Sequence, residues 1–227
     1  MSNTPLRLVI FDVDGTLVDS QGDILASMRS AFDAVGRVVP MREKILSIVG
    51  LSLPLAMMKL APDSTAVQQA QMVDAYKARY QELRREKGAD SSPLYPGALQ
   101  VLNTLHAQPD TLLGIATGKS KRGLDALIDA HGLAKYFITR QVADFHPSKP
   151  HPSMILAAMA DAGVAADQAV MVGDTSFDME MAQSAGICGI GVSWGYHARA
   201  ALSSASLIID DFAALSGAID TLLGETA

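Results

Sequence analysis

The chain has 227 residues, 49% of them hydrophobic and 19% charged, with a formal net charge of −6 and a single cysteine. This balance belongs to a globular chain rather than a disordered one, and the acidic surplus argues against nucleic acid or an anionic membrane as the main partner. Cys188 alone excludes an intrachain disulfide, and no apolar run reaches the ~18 residues of a membrane span, so the expectation is a soluble, cytoplasmic protein.

Leu8 to Phe11 is a short apolar run of strand length, and Asp12-Val13-Asp14-Gly15-Thr16 follows it directly. Residues two apart on a strand point the same way, so Asp12 and Asp14 can converge on one metal or substrate as the chain leaves the sheet. Gly15 permits a sharp turn there. Taken alone, Asp-x-Asp-Gly is more often an acidic turn at a strand end, and only the rest of the chain gives it another meaning.

From there to Pro93 the pattern is helical. Leu25, Met28, Phe32 and Val35 form one stripe, Met72, Tyr76, Tyr80 and Leu83 another, with further helical signal over residues 55–60. These stripes read as the core of an inserted helical unit, and Arg84-Arg85-Glu86-Lys87 as a solvated helix end with charge that suits the dipole. Gly88 to Pro93 reads as the connection back. Asp19 and Ser20 suit the capping of the first helix better than a hinge.

Beyond Pro93, apolar segments at 112–116, 169–172, 189–192 and 207–209, with a weaker one at 137–142, alternate with helical faces such as Leu124, Leu127, Ile128, His131 and Met154, Ile155, Ala158, Met159. The alternation predicts a doubly wound parallel sheet, an α/β core of residues 1–18 and 92–227 with an inserted all-α unit at 19–91. Ligands in such sheets collect beyond the carboxyl ends of the strands. Asp12, Thr117 and Asp174 each stand directly after an apolar segment and would meet at that edge.

Four stretches therefore belong together: Asp12 to Thr16, Ile115-Ala116-Thr117-Gly118, Ser148-Lys149-Pro150, and Val172 to Met179 with Gly173-Asp174-Thr175 and Asp178. In order and spacing they resemble the haloacid dehalogenase superfamily of aspartate-dependent phosphohydrolases, and 11–20, 148–154 and 172–186 are most similar to its phosphoglycolate-phosphatase-like branch. The resemblance implies a Rossmann-like core with a helical cap, and hydrolysis of a small phosphorylated metabolite by a monomer or homodimer that uses neither nucleic acid nor a membrane.

A phosphate monoester is doubly anionic near neutral pH, so a carboxylate can attack it only where cations neutralise both partners. Mg2+ suits this, with hard oxygen ligands that Asp12 and Asp174 can supply. The resemblance adds the Asp14 carbonyl and Asp178, as ligand or support, and makes Asp12 the nucleophile and Asp14 the acid and later the base. Asp178 alone also reads as a helix N-terminal acid.

Thr117 and Gly118 offer a hydroxyl and an amide to phosphate, although Thr117 could equally cap a helix. Lys149 supplies a positioned positive charge. His146 and His151 suit capping or loop packing better than metal ligation. Gly50-Leu51-Ser52 falls where the resemblance implies a cap loop near the leaving group, and Trp194 either shapes the rim or anchors a strand end. Retained Asp14 disfavours dehalogenase chemistry. A sugar-phosphate mutase is the nearest alternative, and a phospho-accepting signalling protein a remote one.

Overall fold

The computed structural model describes residues 5–224. Among them six strands, β1 (Arg7–Phe11), β2 (Thr111–Thr117), β3 (Phe137–Val142), β4 (Ala169–Gly173), β5 (Cys188–Val192) and β6 (Leu207–Ile209), form one sheet in the order β3-β2-β1-β4-β5-β6. Every pairing is parallel. Each strand lies on a segment the apolar pattern marks; the central strands β1 and β4 are unbroken buried runs because both of their faces are covered, whereas the edge strand β3 carries Thr139, Arg140 and Gln141 and gives the weaker signal.

β1 shows the packing. Val9 and Phe11 face one cluster with Leu102, Leu105 and Leu127, whereas Leu8 and Ile10 face another with Met154, Ile155 and Met181. The helices α5 (Ala98–His106), α6 (Lys121–His131), α7 (Ser153–Ala162), α8 (Ser176–Ala185) and α9 (Leu215–Leu223) cover these faces. Chain order runs outward from β1 in both directions, which makes its carboxyl end the switch point where a crevice opens.

Between β1 and β2 lie α1 (Gln21–Asp33), α2 (Arg42–Leu46), α3 (Leu53–Leu60) and α4 (Ala66–Lys87). They share a separate apolar cluster that includes Ile24, Met28, Phe32, Met57 and Met72. α4 starts with a reciprocal capping box of Thr65 and Gln68. The outgoing and returning connections pair side by side, with Asp19 N–H donating to Pro93 O at 2.8 Å and Tyr95 N–H to Leu17 O at 3.0 Å.

Two local readings change. Residues 88–91 form a 3-10 turn rather than a plain linker, fastened to α1 because Ser91 Oγ and Lys87 Nζ both donate to the buried Asp23 carboxylate. The Arg84 to Lys87 run is likewise more than a solvated helix end, since Lys87 makes this ion pair and the Arg84 guanidinium lies 5.3 Å from the Tyr80 ring centroid. Charge runs hide such partners because periodicity carries no information about a second helix.

Candidate active site

The carboxyl ends of β1 and β4 bring Asp12 and Asp174 together, and the first turn of α8 adds Asp178; one oxygen from each lies within 4.8 Å of the others. All three are fully buried. Thr175 caps α8 and, by the same reciprocal box, aims Asp178: Thr175 N–H and Oγ1 donate to Asp178 Oδ2 at 3.0 and 2.7 Å. Lys149, also fully buried, donates to Asp178 Oδ1 at 2.6 Å, and its Nζ stands 2.8 Å from Asp12 Oδ1.

Burial pushes Asp12 up to about 7, against the pull of Lys149, with Asp178 adding to the rise. Asp174 is raised as well, by burial first and then by Asp178 and Asp12. Burial alone would lower the Lys149 amine, but Asp12 and Asp178 outweigh it and hold it above its ordinary range. Such a knot of charge asks for a further cation.

The donor set fits one. Neither Asp12 oxygen accepts a well-aligned hydrogen bond, whereas Asp174 is oriented by Thr16 Oγ1 at 2.9 Å and Tyr196 N–H at 2.8 Å. Hard carboxylate oxygens with open lone pairs suit a small divalent ion. The residues foreseen as carboxylate ligands, Asp12, Asp174 and Asp178, thus meet, but Asp178 spends both oxygens on Lys149 and Thr175.

Glycines make the nest possible. A Cβ on Gly15 would lie 2.2 Å from Asp174 Oδ2, and one on Gly195 would lie 2.1 Å from Asp174 Cβ. Gly195→Ala is therefore expected to displace Asp174, cost about 1–3 kcal/mol through overpacking, and abolish any stabilisation by divalent cations. Thermal melts with and without Mg2+ check this, and an unchanged cation response would show that Asp174 tolerates the shift.

Asp14 is held by residues that sequence reasoning missed. Lys119 Nζ donates to its two oxygens at 2.6 and 2.9 Å and to Tyr80 Oη of α4 at 3.0 Å. The reading of Ser20 is corrected: it stands at the N-terminus of α1 but makes no side-chain cap. Its hydroxyl donates to Asp14 Oδ1 and lies 3.1 Å from Tyr196 Oη. Asp19 takes the capping part instead, accepting Gln21 N–H at 3.2 Å. The one hint of Lys119 in the sequence is its place two residues after Thr117.

Thr117 does not cap α6; Ser120 does, accepting Gly123 N–H at 3.2 Å. Thr117 is buried at the end of β2, and its Oγ1 accepts Lys119 N–H at 3.2 Å. Gly118 has a steric reason for its identity: a Cβ there would lie 2.5 Å from Gly50 O. The Gly50-Leu51-Ser52 loop thus rests on the strand ends, and Ser52 N–H donates to Ser148 Oγ at 2.8 Å.

His146 bonds Gln141 and Ser153, and His151 accepts Ser153 N–H, so both serve the loop before α7. Trp194 anchors a strand end, donating to Thr16 O at 3.2 Å and packing on Phe212. A cavity of about 630 Å³ opens over Asp12, Asp14, Thr117 and Gly118, with the helical insertion as its other wall.

A doubly wound sheet with buried carboxylates and a buried lysine at its switch point defines an α/β enzyme built to handle anions. Residues 9–192 match the family model of the haloacid dehalogenase-like hydrolases, and the chain belongs to that family. It is 37% identical over 222 residues to the probable phosphatase IndB of Dickeya dadantii, covering 95% of this chain and 94% of that protein. It is 35% identical to a phosphoglycolate phosphatase of Pseudomonas fluorescens, over 92% and 78% of the two chains. Among solved structures, a predicted phosphoglycolate phosphatase from Haemophilus somnus superposes with a TM-score of 0.81 at 26% identity, covering 96% and 99%. The chain is an enzyme of this hydrolase family, of the phosphatase kind. No helix among the described residues is long and apolar enough to cross a membrane.

Proposed function

We propose that the protein hydrolyses a small-molecule phosphate monoester, with Mg2+, through an aspartyl-phosphate on Asp12. The observation that carries this reading is the buried Asp12 carboxylate, without a well-aligned hydrogen bond and within 2.8 Å of Lys149 Nζ. Asp12 and Asp174, with the Asp14 carbonyl, would hold the ion, which supplies charge neutralisation and orients the phosphate.

The chain's own groups do the rest. Asp12 attacks phosphorus, Asp14 gives the departing alkoxide a proton, and the same carboxylate then takes one from the water that frees Asp12. Lys149, positioned by Asp178, and Thr117 with the Gly118 amide stabilise the phosphoryl oxygens. Asp178 acts as support for Lys149 rather than as a primary ligand, since both of its oxygens are engaged.

Residues 19–91 serve as a cap over a core of 1–18 and 92–227 and exclude water during turnover. We place the activity in the cytoplasm, without nucleic acid or membrane, in a monomer or homodimer. Phosphoglycolate is the first substrate to test, given the relatives at 31–35% identity that bear the name phosphoglycolate phosphatase.

The test is phosphate release from a panel of phosphomonoesters with and without Mg2+. Stoichiometric, cation-dependent release supports the proposal, whereas isomerisation outpacing release would make the protein a sugar-phosphate mutase.

Proton linkage provides a second check. Asp12 moves from 3.8 to about 7 on folding. In that window the folded state holds a proton that the unfolded chain has released, so the stability of the cation-free protein falls as pH rises through it. Mg2+ competes with that proton and is expected to raise the melting temperature more at pH 8 than at pH 5.5. Equal shifts in scanning calorimetry would mean that the ion does not use ionised Asp12.

A further inference from the structure

The insertion is closed onto the core in this structure. Ser52 N–H reaches Ser148 Oγ at 2.8 Å, Lys119 Nζ reaches Tyr80 Oη at 3.0 Å, and the Gly50 carbonyl sits where a Gly118 Cβ would be. The cavity of about 630 Å³ lies between the insertion and the core and opens to solvent. A cavity of this size falls within the ~300–1,000 Å³ range of drug-sized ligand sites and is large for phosphoglycolate, which has about nine heavy atoms.

The walls have a distinct chemistry. Ile24, Met28, Ile48 and Leu53 make an apolar side. Facing the cavity from α4, Tyr76 and Tyr80 stack with ring centroids 5.9 Å apart and planes within 22°. Lys77, Gln81 and Arg84, spaced along the same helix by four and three residues, also line it and carry hydrogen-bond donors. Aromatic and apolar walls suit a flat ring, and flanking donors suit acceptor atoms on its edge.

We infer that the leaving group is a planar ring compound carrying acceptor atoms, so that the substrate is a phosphomonoester of nucleoside-monophosphate size rather than a two-carbon acid. This rests on the phosphomonoesterase reading and narrows it. The phosphate occupies the Asp12 end and the ring lies against Tyr76 and Leu53.

The experiment measures kcat/KM for the full chain with Mg2+ on phosphoglycolate, glycerol 3-phosphate, glucose 6-phosphate, 1-naphthyl phosphate and the common nucleoside 5′-monophosphates. At least one nucleotide is expected to exceed phosphoglycolate by about tenfold or more, the scale on which a fitted pocket discriminates. Leu53→Trp, which fills the cavity, and Tyr76→Ala, which removes a ring wall, are each expected to lower that nucleotide-to-phosphoglycolate ratio by about tenfold. Both positions are only half-buried, and circular dichroism shows that each variant has folded.

A ratio at or below one in the unaltered protein, or a ratio that neither folded variant moves, overturns the inference and leaves the phosphatase reading standing. Release of phosphate from none of the esters overturns that reading, and this inference with it.

Discussion

Asp12→Asn is expected to lower phosphate release by roughly 10⁴-fold or more, because in the proposed mechanism it removes the nucleophile that forms the covalent intermediate. The fold should survive. Asp12 is fully buried beside Asp174 and Asp178, and burial and like charge both penalise its ionised form. A neutral amide of the same shape relieves that penalty, so the cation-free variant should melt no lower than the parent at pH 8. The stabilisation by Mg2+ should shrink in parallel. Phosphate-release assays and calorimetry on the same preparations separate the two effects. A folded variant that turns over normally would remove Asp12 from the role assigned to it.

Lys149→Met should be as damaging to activity and far worse for stability. The amine is fully buried between Asp12 and Asp178, 2.8 and 2.6 Å from their oxygens. Its loss leaves two carboxylates facing each other without a counter-charge, a defect that costs about 3–5 kcal/mol in buried pairs. If Lys149 donates to the phosphoryl group as proposed, its loss should lower kcat by roughly 10³-fold. The sign with pH follows from the same geometry: the stranded carboxylates can take up protons in acid, so the destabilisation should be larger at pH 8 than at pH 5.5. Lys121→Met is the contrast. Its partner is Asp125 and both side chains are about half exposed, which limits the expected change to about 0.5 kcal/mol. Urea unfolding of both variants at the two pH values tests the prediction, and equal costs would show that the buried charges are neutral in the parent.

Much of the architecture was legible because it is encoded locally. Apolar runs of strand length marked five of the six strands and a weaker signal the edge strand β3, and the stripes through Met28 and Met72 marked helices with a core of their own. Asp12 and Asp174 were legible because each stands directly after a strand, so that the parallel topology carries them to one edge, whereas Asp178 and Lys149 were legible only through the resemblance of their motifs to the family.

Local rules failed where a side chain had a choice of partners. Ser20 stood in position to cap α1, yet its hydroxyl turns to Asp14 and to Tyr196, a residue 176 positions away. Thr117 could have capped α6, but the cap went to the nearer Ser120. Tyr76 and Tyr80 read as core, and Tyr80 is indeed buried, but both also line the cavity.

Neighbouring residues were enough to set the alternation of strands and helices, the helical insertion after β1, and the acidic groups at the strand ends, because propensity, periodicity and strand-end position are local properties. Long-range packing had to supply the rest: Lys119 closes on Asp14 across 105 residues, and Gly15 and Gly195 make room for Asp174. The volume beneath the insertion belongs with these. Such outcomes depend on distances between elements, and close packing sets those distances only when the whole chain has folded.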